Sequence, residues 1–311
     1  MQSEENGIII IDKPAGTTSA KVVARLKKIT GALKAGHTGT LDPLATGVMV
    51  CCINRATRLA RFFLAGDKKY KAVLYLGKET DTQDATGKTT AVCDSIELTS
   101  QRIREVFKEF EGSMAQAPPV FSSLKHKGVP LYKLARQGKP IQKPPRQILI
   151  HYLKISDIDI PKIHFEVSCS SGTYIRTLCA DIGKRLGCGG HLKSLRRIES
   201  CGFSINQACD LQEVEMLSTS GMLSERIISM ANAVIGMAGY ISDTNLSEKI
   251  IAGRKITAKD LENMPFIEKK SSAFKNFIKI IGKENNLLAV LENTGETEQY
   301  DYCCVFPKNL L

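Results

Sequence analysis

No run of 18 apolar residues occurs in this chain, so no stretch of it is long enough to cross a membrane as a helix. The opening residues, MQSEENG, lack the charged-then-apolar pattern of a secretion signal. Among the ten cysteines there is no C-x-x-C pair; Cys51/Cys52 and Cys303/Cys304 are adjacent, and most of the ten sit in apolar runs such as VMVCCI. This excludes a disulfide framework or a thiolate metal site and predicts buried, reduced thiols in a cytoplasmic setting. There is no G-x-x-x-x-G-K-[ST] loop and no G-x-G-x-x-G after a strand, and the histidines at 37, 126, 151, 164 and 191 are not at metal-ligand spacing. Nucleotide-driven and metal-hydrolytic chemistry therefore drop out, and neither a cofactor nor a metal is expected.

Acidic residues are scarce in one part of the chain. The 43 Lys+Arg against 32 Asp+Glu give a net charge of +11, which favours a polyanionic partner. Residues 240–311 hold 10 basic and 10 acidic side chains, so the whole surplus lies in residues 1–239. The densest stretch, Gln116–Ile150, carries seven basic residues, among them Lys125, Lys127, Lys133 and Arg136, and not one Asp or Glu. A lysine run is often only a solvated face. Here Phe121, Tyr132 and six prolines are interleaved with it, which makes a stiff segment suited to lying along a sugar-phosphate backbone. We read it as an arm that orders on RNA.

GHTGTLDPLATG, from Gly36 to Gly47, sets one carboxylate, Asp42, in a glycine-rich turn between apolar segments. Asp before Pro commonly just starts a turn. Glycines at 36, 39 and 47 allow backbone shapes closed to other residues, and Pro43 drives Asp42 away from helical geometry, so the turn can also hold a carboxylate out to a substrate.

This segment resembles, almost letter for letter, the catalytic loop of the TruB family of tRNA pseudouridine synthases. The resemblance continues in family order through GIIIIDKPAGTTS (7–19), KKYKAVLYLGKETDTQDATG (68–87), QAPPVFSSLKHKGVPLYKLARQG (116–138), SSGTYIRTLCADIG (170–183) and LRRIESCGF (195–203). It implies isomerisation of the T-loop uridine at position 55 of tRNA to pseudouridine, with Asp42 as the catalytic residue. Asp42 would attack the anomeric carbon or assist removal of a ribose proton; the sequence does not choose between these routes. By the same resemblance Arg176 pairs with and orients Asp42, Tyr70 stacks on the extruded base, His37 helps extrude it, and Tyr174 forms part of the pocket wall. Lys125, Lys127, Lys133 and Arg136 would grip the RNA backbone.

The implied fold is α+β, a pseudouridine synthase fold with a mixed, largely antiparallel central sheet and a small C-terminal PUA-like domain. The expected division is residues 1–239 as the catalytic domain, with the basic insertion at about 116–150, and residues 240–311 as an RNA-binding extension. Strand-like runs fall at 7–11, 48–53, 70–76, 148–160 and 163–169, with helices at about 19–30, 100–110 and 173–186, and helices linked by STSG (218–221) across 211–237. The partner is tRNA through its T-stem-loop, with no membrane and no obligate protein partner. Two alternatives stay open, a guide-RNA-dependent synthase and a non-catalytic RNA-binding or tRNA-folding protein. The intact set Asp42, Tyr70 and Arg176 speaks against the second.

Overall fold

β1 (Gly7–Lys13) runs through four consecutive isoleucines, each at most 2% exposed, and a strand apolar on both faces has to be covered on both. The computed structural model of the chain, which describes residues 5–234, 236–268, 274–293 and 299–307, shows what covers it. Of the extension expected over 240–311, residues 269–273, 294–298 and 308–311 lie outside the described residues, as do residues 1–4 and 235.

α1 (Ser19–Thr30) begins where the Thr18 side chain accepts the Lys21 N–H and ends at Gly31, whose φ of +63° is the left-handed cap a glycine supplies. β2 (Ala35–His37) and β3 (Thr46–Ile53) bracket the glycine-rich loop, and α2 (Ala60–Leu64) leads into β4 (Lys68–Leu76). β5 (Lys78–Thr80) and β6 (Thr89–Val92) pair as a hairpin ahead of α3 (Ser100–Glu109) and β7 (Gly112–Gln116).

The basic insertion has structure of its own. β8 (Lys125–His126) and β9 (Val129–Pro130) pair across Lys127 and Gly128, whose φ values of +47° and +83° suit a two-residue hairpin turn. α4 (Leu131–Arg136) follows and anchors the insertion through fully buried Leu131. The chain then returns along β10 (Arg146–Asp159) and β11 (Lys162–Cys169) to α5 (Ile175–Leu186), β12 (Gly190–Ser200) and β13 (Phe203–Ser204).

Across 211–237 the helical expectation holds only for α6 (Leu211–Thr219) and α7 (Met230–Ala233). Between them Gly221, at φ +75°, reverses the chain so that β14 (Ile228–Ser229) can pair with β1.

Ten of the described strands form one sheet in the order β14-β1-β3-β12-β4-β11-β10-β7, with β2 on β3 and β13 on β12. Only the β3–β12 contact is parallel, so the sheet is mixed and largely antiparallel, as expected. On one face α3 and α5 bury β4, β10 and β11, while α1 and α6 bury Ile9, Ile11, Met49 and Cys51.

The opposite side of β1 and β3 is covered by a second sheet. It consists of β15 (Ala238–Ile241), β16 (Ile256–Thr257), β17 (Phe266–Ile267), β18 (Phe277–Ile281), β19 (Leu287–Glu292) and β20 (Gln299–Val305), with α8 (Thr244–Ile251) and α9 (Ala258–Leu261) packed on it. This small C-terminal unit is consistent with a PUA-like fold.

The two sheets share one core. Ile8, Ile10, Val48 and Val50 pack with Ile281, Leu287, Val290 and Phe306, and each such burial is worth about 1.5–3 kcal/mol. Phe62 meets Phe277 edge-on at 5.1 Å, Arg58 donates to the Val305 carbonyl at 2.5 Å, and Arg55 donates to the Pro307 carbonyl.

Candidate active site

In a strand, neighbouring residues point to opposite faces, and three dipeptides of this sheet use that alternation together. Lys13 lies opposite Gly47, Gly47 opposite Arg197, and Arg197 opposite Tyr70, which makes one row across β1, β3, β12 and β4. Their neighbours Asp12, Arg196 and Lys71 fall on the other face, where Arg196 binds Asp12 at 2.6 and 3.1 Å. Gly47 is required at the crossing, since it sits at φ +103° and a Cβ there would lie 2.1 Å from the Arg197 carbonyl oxygen.

The loop before Gly47 carries Asp42. Its turn closes with the Ala45 N–H donating to the Asp42 carbonyl at 3.0 Å, and Pro43 occupies the position that favours it. Two side chains from the GIIIIDKPAGTTS segment pin the loop. The Ser19 hydroxyl accepts from the Leu41 N–H at 2.9 Å and donates to the Leu41 carbonyl at 3.0 Å. The fully buried Lys13 ammonium donates to the carbonyls of Ala45 at 2.6 Å, Pro14 at 2.9 Å and Pro43 at 3.4 Å. Burial pushes the Lys13 amine down to about 8, opposed by the Asp42 carboxylate and reinforced by Arg197.

Arg176 comes from the first turn of α5 and is 4% exposed. Its Nε donates to Asp42 Oδ2 at 2.8 Å and its Nη2 to Oδ1 at 3.3 Å, a forked pair that only a planar guanidinium can make. The rest of the guanidinium is also engaged, Nη1 with the Thr82 carbonyl and Nη2 with the Phe121 carbonyl, both at 2.9 Å. A second carboxylate, Asp84, stands 3.7 Å away and is itself held by the Thr82 and Thr86 hydroxyls at 2.8 and 2.6 Å. Asp42 is one-third exposed while Arg176 and Asp84 are buried, so the carboxylate at the mouth is the one open to a ligand.

Tyr70 is 8% exposed and packs in the same cluster as Leu41 and Ala45, on either side of Asp42. Burial raises its hydroxyl above the ordinary range, with Arg197 pulling the other way. His37, at the end of β2, accepts the Gly39 N–H on Nδ1 at 3.3 Å. Burial, and then the Arg197 charge, lower its pKa, so the ring is neutral near pH 7 with its proton on Nε2. Tyr174 caps α5 two residues ahead of Arg176.

Asp42 and Arg176 are thus paired, Tyr70 shares a core cluster with the residues flanking Asp42, Tyr174 starts the helix that carries Arg176, and His37 ends the strand that leads into the loop. Lys125, Lys127, Lys133 and Arg136 are exposed on the insertion, and the Arg136 guanidinium stacks 5.8 Å from the Tyr132 ring. Sequence reasoning passed over Lys13, Asp84 and Arg197. A lysine after four isoleucines, an aspartate in TDTQDATG and the second arginine of LRR were the available signals, since a charge in an apolar strand must be paired or placed for a purpose.

The mixed, largely antiparallel sheet that carries this Asp–Arg pair has the pseudouridine synthase fold. The same fold appears in the structure of an H/ACA ribonucleoprotein bound to a substrate RNA containing 2′-deoxyuridine, with a TM-score of 0.72 over 97% of this chain and 85% of that one, at 24% identity. The family model for the N-terminal domain of TruB family pseudouridylate synthases matches residues 27–175, and that for the tRNA pseudouridylate synthase B C-terminal domain matches residues 176–234. The chain is 46% identical to tRNA pseudouridine synthase B of Syntrophotalea carbinolica over 74% of each chain. It is 41% identical to that of Geobacter sulfurreducens, over 83% of this chain and 85% of the relative. The chain belongs to the TruB family.

Proposed function

We propose that the protein isomerises a uridine of tRNA to pseudouridine, and that the uridine is the one in the T-loop. The family and the forked pair between partly open Asp42 and buried Arg176 carry this reading. Overall, the N1–C1′ bond is exchanged for a C5–C1′ bond while the proton of carbon 5 ends on N1, so nothing is consumed and one carboxylate suffices. Asp42 acts on the sugar of the extruded nucleotide, and Arg176 holds its two oxygens in a fixed direction at no reorganisation cost. Tyr70 stacks on the freed uracil with a hydroxyl that keeps its proton, because burial disfavours the phenolate. Neutral His37 follows the base out of the loop, and Tyr174 walls the pocket.

The basic insertion over about 116–150 grips the T-stem backbone, and residues 1–239 form the catalytic unit. Residues 240–311 contribute as much to the core as to RNA contact. The protein works in the cytoplasm, without a guide RNA or an obligate partner. High identity to tRNA pseudouridine synthase B relatives along most of the chain favours this over a guide-dependent reaction. A non-catalytic RNA binder would not require the forked pair.

The experiment is to incubate the protein with an unmodified tRNA transcript, an isolated T-stem-loop and a version with a scrambled stem, and to assay pseudouridine. The transcript and the stem-loop should react at similar rates, since single-stranded loops are where RNA bases can be splayed out. The scrambled stem should not react. No product from any of the three would sink the assignment, and equal rates on all three would remove shape recognition.

A further inference from the structure

The buried amide of Gln116 has no part in the mechanism above, yet both its oxygen and its nitrogen bond the backbone of a single residue. Gln116 is the last residue of β7, 3% exposed, where the basic insertion leaves the sheet. Its Oε1 accepts the Tyr174 N–H at 2.8 Å and its Nε2 donates to the Tyr174 carbonyl at 3.1 Å. Tyr174 is the residue that starts α5, and no side chain of its own caps that helix. The N–H groups of a helix start need partners from elsewhere, and here the amide supplies one.

Holding the N–H and the C=O of one residue together fixes its peptide planes and so sets the direction in which α5 leaves. Arg176 follows two residues later, and the same stretch of chain returns to it, because the Phe121 carbonyl takes Arg176 Nη2. Thr177 is held as well, donating to Gln83 Oε1 at 2.9 Å. The first turn of α5 is therefore clamped from two segments, and Gln116 holds the backbone of the residue two before Arg176 while touching neither Asp42 nor Arg176.

We propose that Gln116 is a positioning residue for the isomerisation, acting through the Tyr174 backbone to aim Arg176 at Asp42; this rests on the function proposed above. Gln116→Met keeps the volume and removes both bonds. Gln116→Glu keeps an acceptor for the Tyr174 N–H and loses the donor. Leu246→Ala, a truncation in the core of the C-terminal sheet far from α5, serves as a destabilised control.

Single-turnover rates at saturating T-stem-loop RNA, the Kd for the same RNA, and Tm are measured for all three and for the unsubstituted chain. A displaced guanidinium should slow Gln116→Met about a hundredfold, with Gln116→Glu between it and the unsubstituted chain. Kd should change by less than about threefold, as expected of an interaction felt mainly in the transition state. Leu246→Ala should lose Tm and keep its rate. A normal rate in a folded Gln116→Met overturns the proposal, as does equal slowing in Leu246→Ala. If Gln116→Met does not fold, a normal rate in Gln116→Glu overturns it instead. Absence of product from the unsubstituted chain would sink the functional reading, which is a separate outcome.

Discussion

The loop around Asp42 and the basic insertion are bridged by one side chain, Arg176, which bonds Asp42 and the Phe121 carbonyl, and are built in opposite ways. The loop is held by buried side chains, with Ser19 and Lys13 bonded to its backbone and Arg176 to its carboxylate. The insertion exposes its cations to solvent and is anchored mainly by Leu131. Chemistry on a sugar carbon needs a carboxylate fixed to a fraction of an ångström, and that takes a buried network with no slack. Phosphates can be gripped in many poses, so charge matters there more than placement. Changes in the loop should therefore act on rate, and changes in the insertion on binding.

The largest effect is expected for Asp42→Asn, which keeps the volume and removes the charge. Pseudouridine formation should fall by about a thousandfold or more, as for loss of any reacting group, while tRNA affinity stays within about threefold. Single-turnover assays beside filter binding would show it, and near-normal turnover would take Asp42 out of its role. Arg176→Lys keeps the charge but not the fork, and should cost about a hundredfold in rate with little change in Kd. If it weakens binding instead, Arg176 is a phosphate contact and the division between loop and insertion collapses.

The insertion should answer differently. Replacing Lys125, Lys127 and Lys133 together with Ala should lower the slope of log affinity against log salt by about one for each lost phosphate contact, leaving the rate at saturation nearly intact. An unchanged slope would show that this face does not meet RNA.

The smallest effect concerns Lys13. Burial disfavours its ammonium in the folded chain, so between pH 8 and 10.5 the folded state has released a proton that the unfolded state still holds. Stability should rise with pH across that window, and the rise should be missing in Lys13→Met. Denaturant midpoints at several pH values would test this, and parallel curves for the two proteins would show that Lys13 stays charged.

What the sequence disclosed follows the same division. α1 was readable because its caps are local, Thr18 before it and Gly31 after it, and the main strands because their apolar runs are long. Asp42, Tyr70 and Arg176 were readable through their motifs. Lys13 and Arg197 stayed hidden because their partners are backbone carbonyls distant in sequence, such as Ala45 for Lys13 and Val48 for Arg197, and a strand register has to be known before these can be named. The helices read across 211–237, broken at STSG, correspond to α6 and α7, but β14 ahead of α7 stayed hidden because its pairing with β1 is not local. The shared core was illegible for a similar reason, since nothing near Ile8 in sequence indicates that it will share a buried cluster with Phe306.

That cluster spans almost the whole chain, and it sets the order of events during synthesis. β1 is among the first elements to leave the ribosome, but the layer over its Ile8 and Ile10 face includes Leu287, Val290 and Phe306. At about 5–20 residues per second, that face waits some tens of seconds for its cover. Until then the nascent chain shows a strip of isoleucine and valine to solvent, which suits a chaperone, and the sheet that holds Asp42 stays unfinished. The Ile8 and Ile10 face is therefore among the last surfaces of the molecule to be buried.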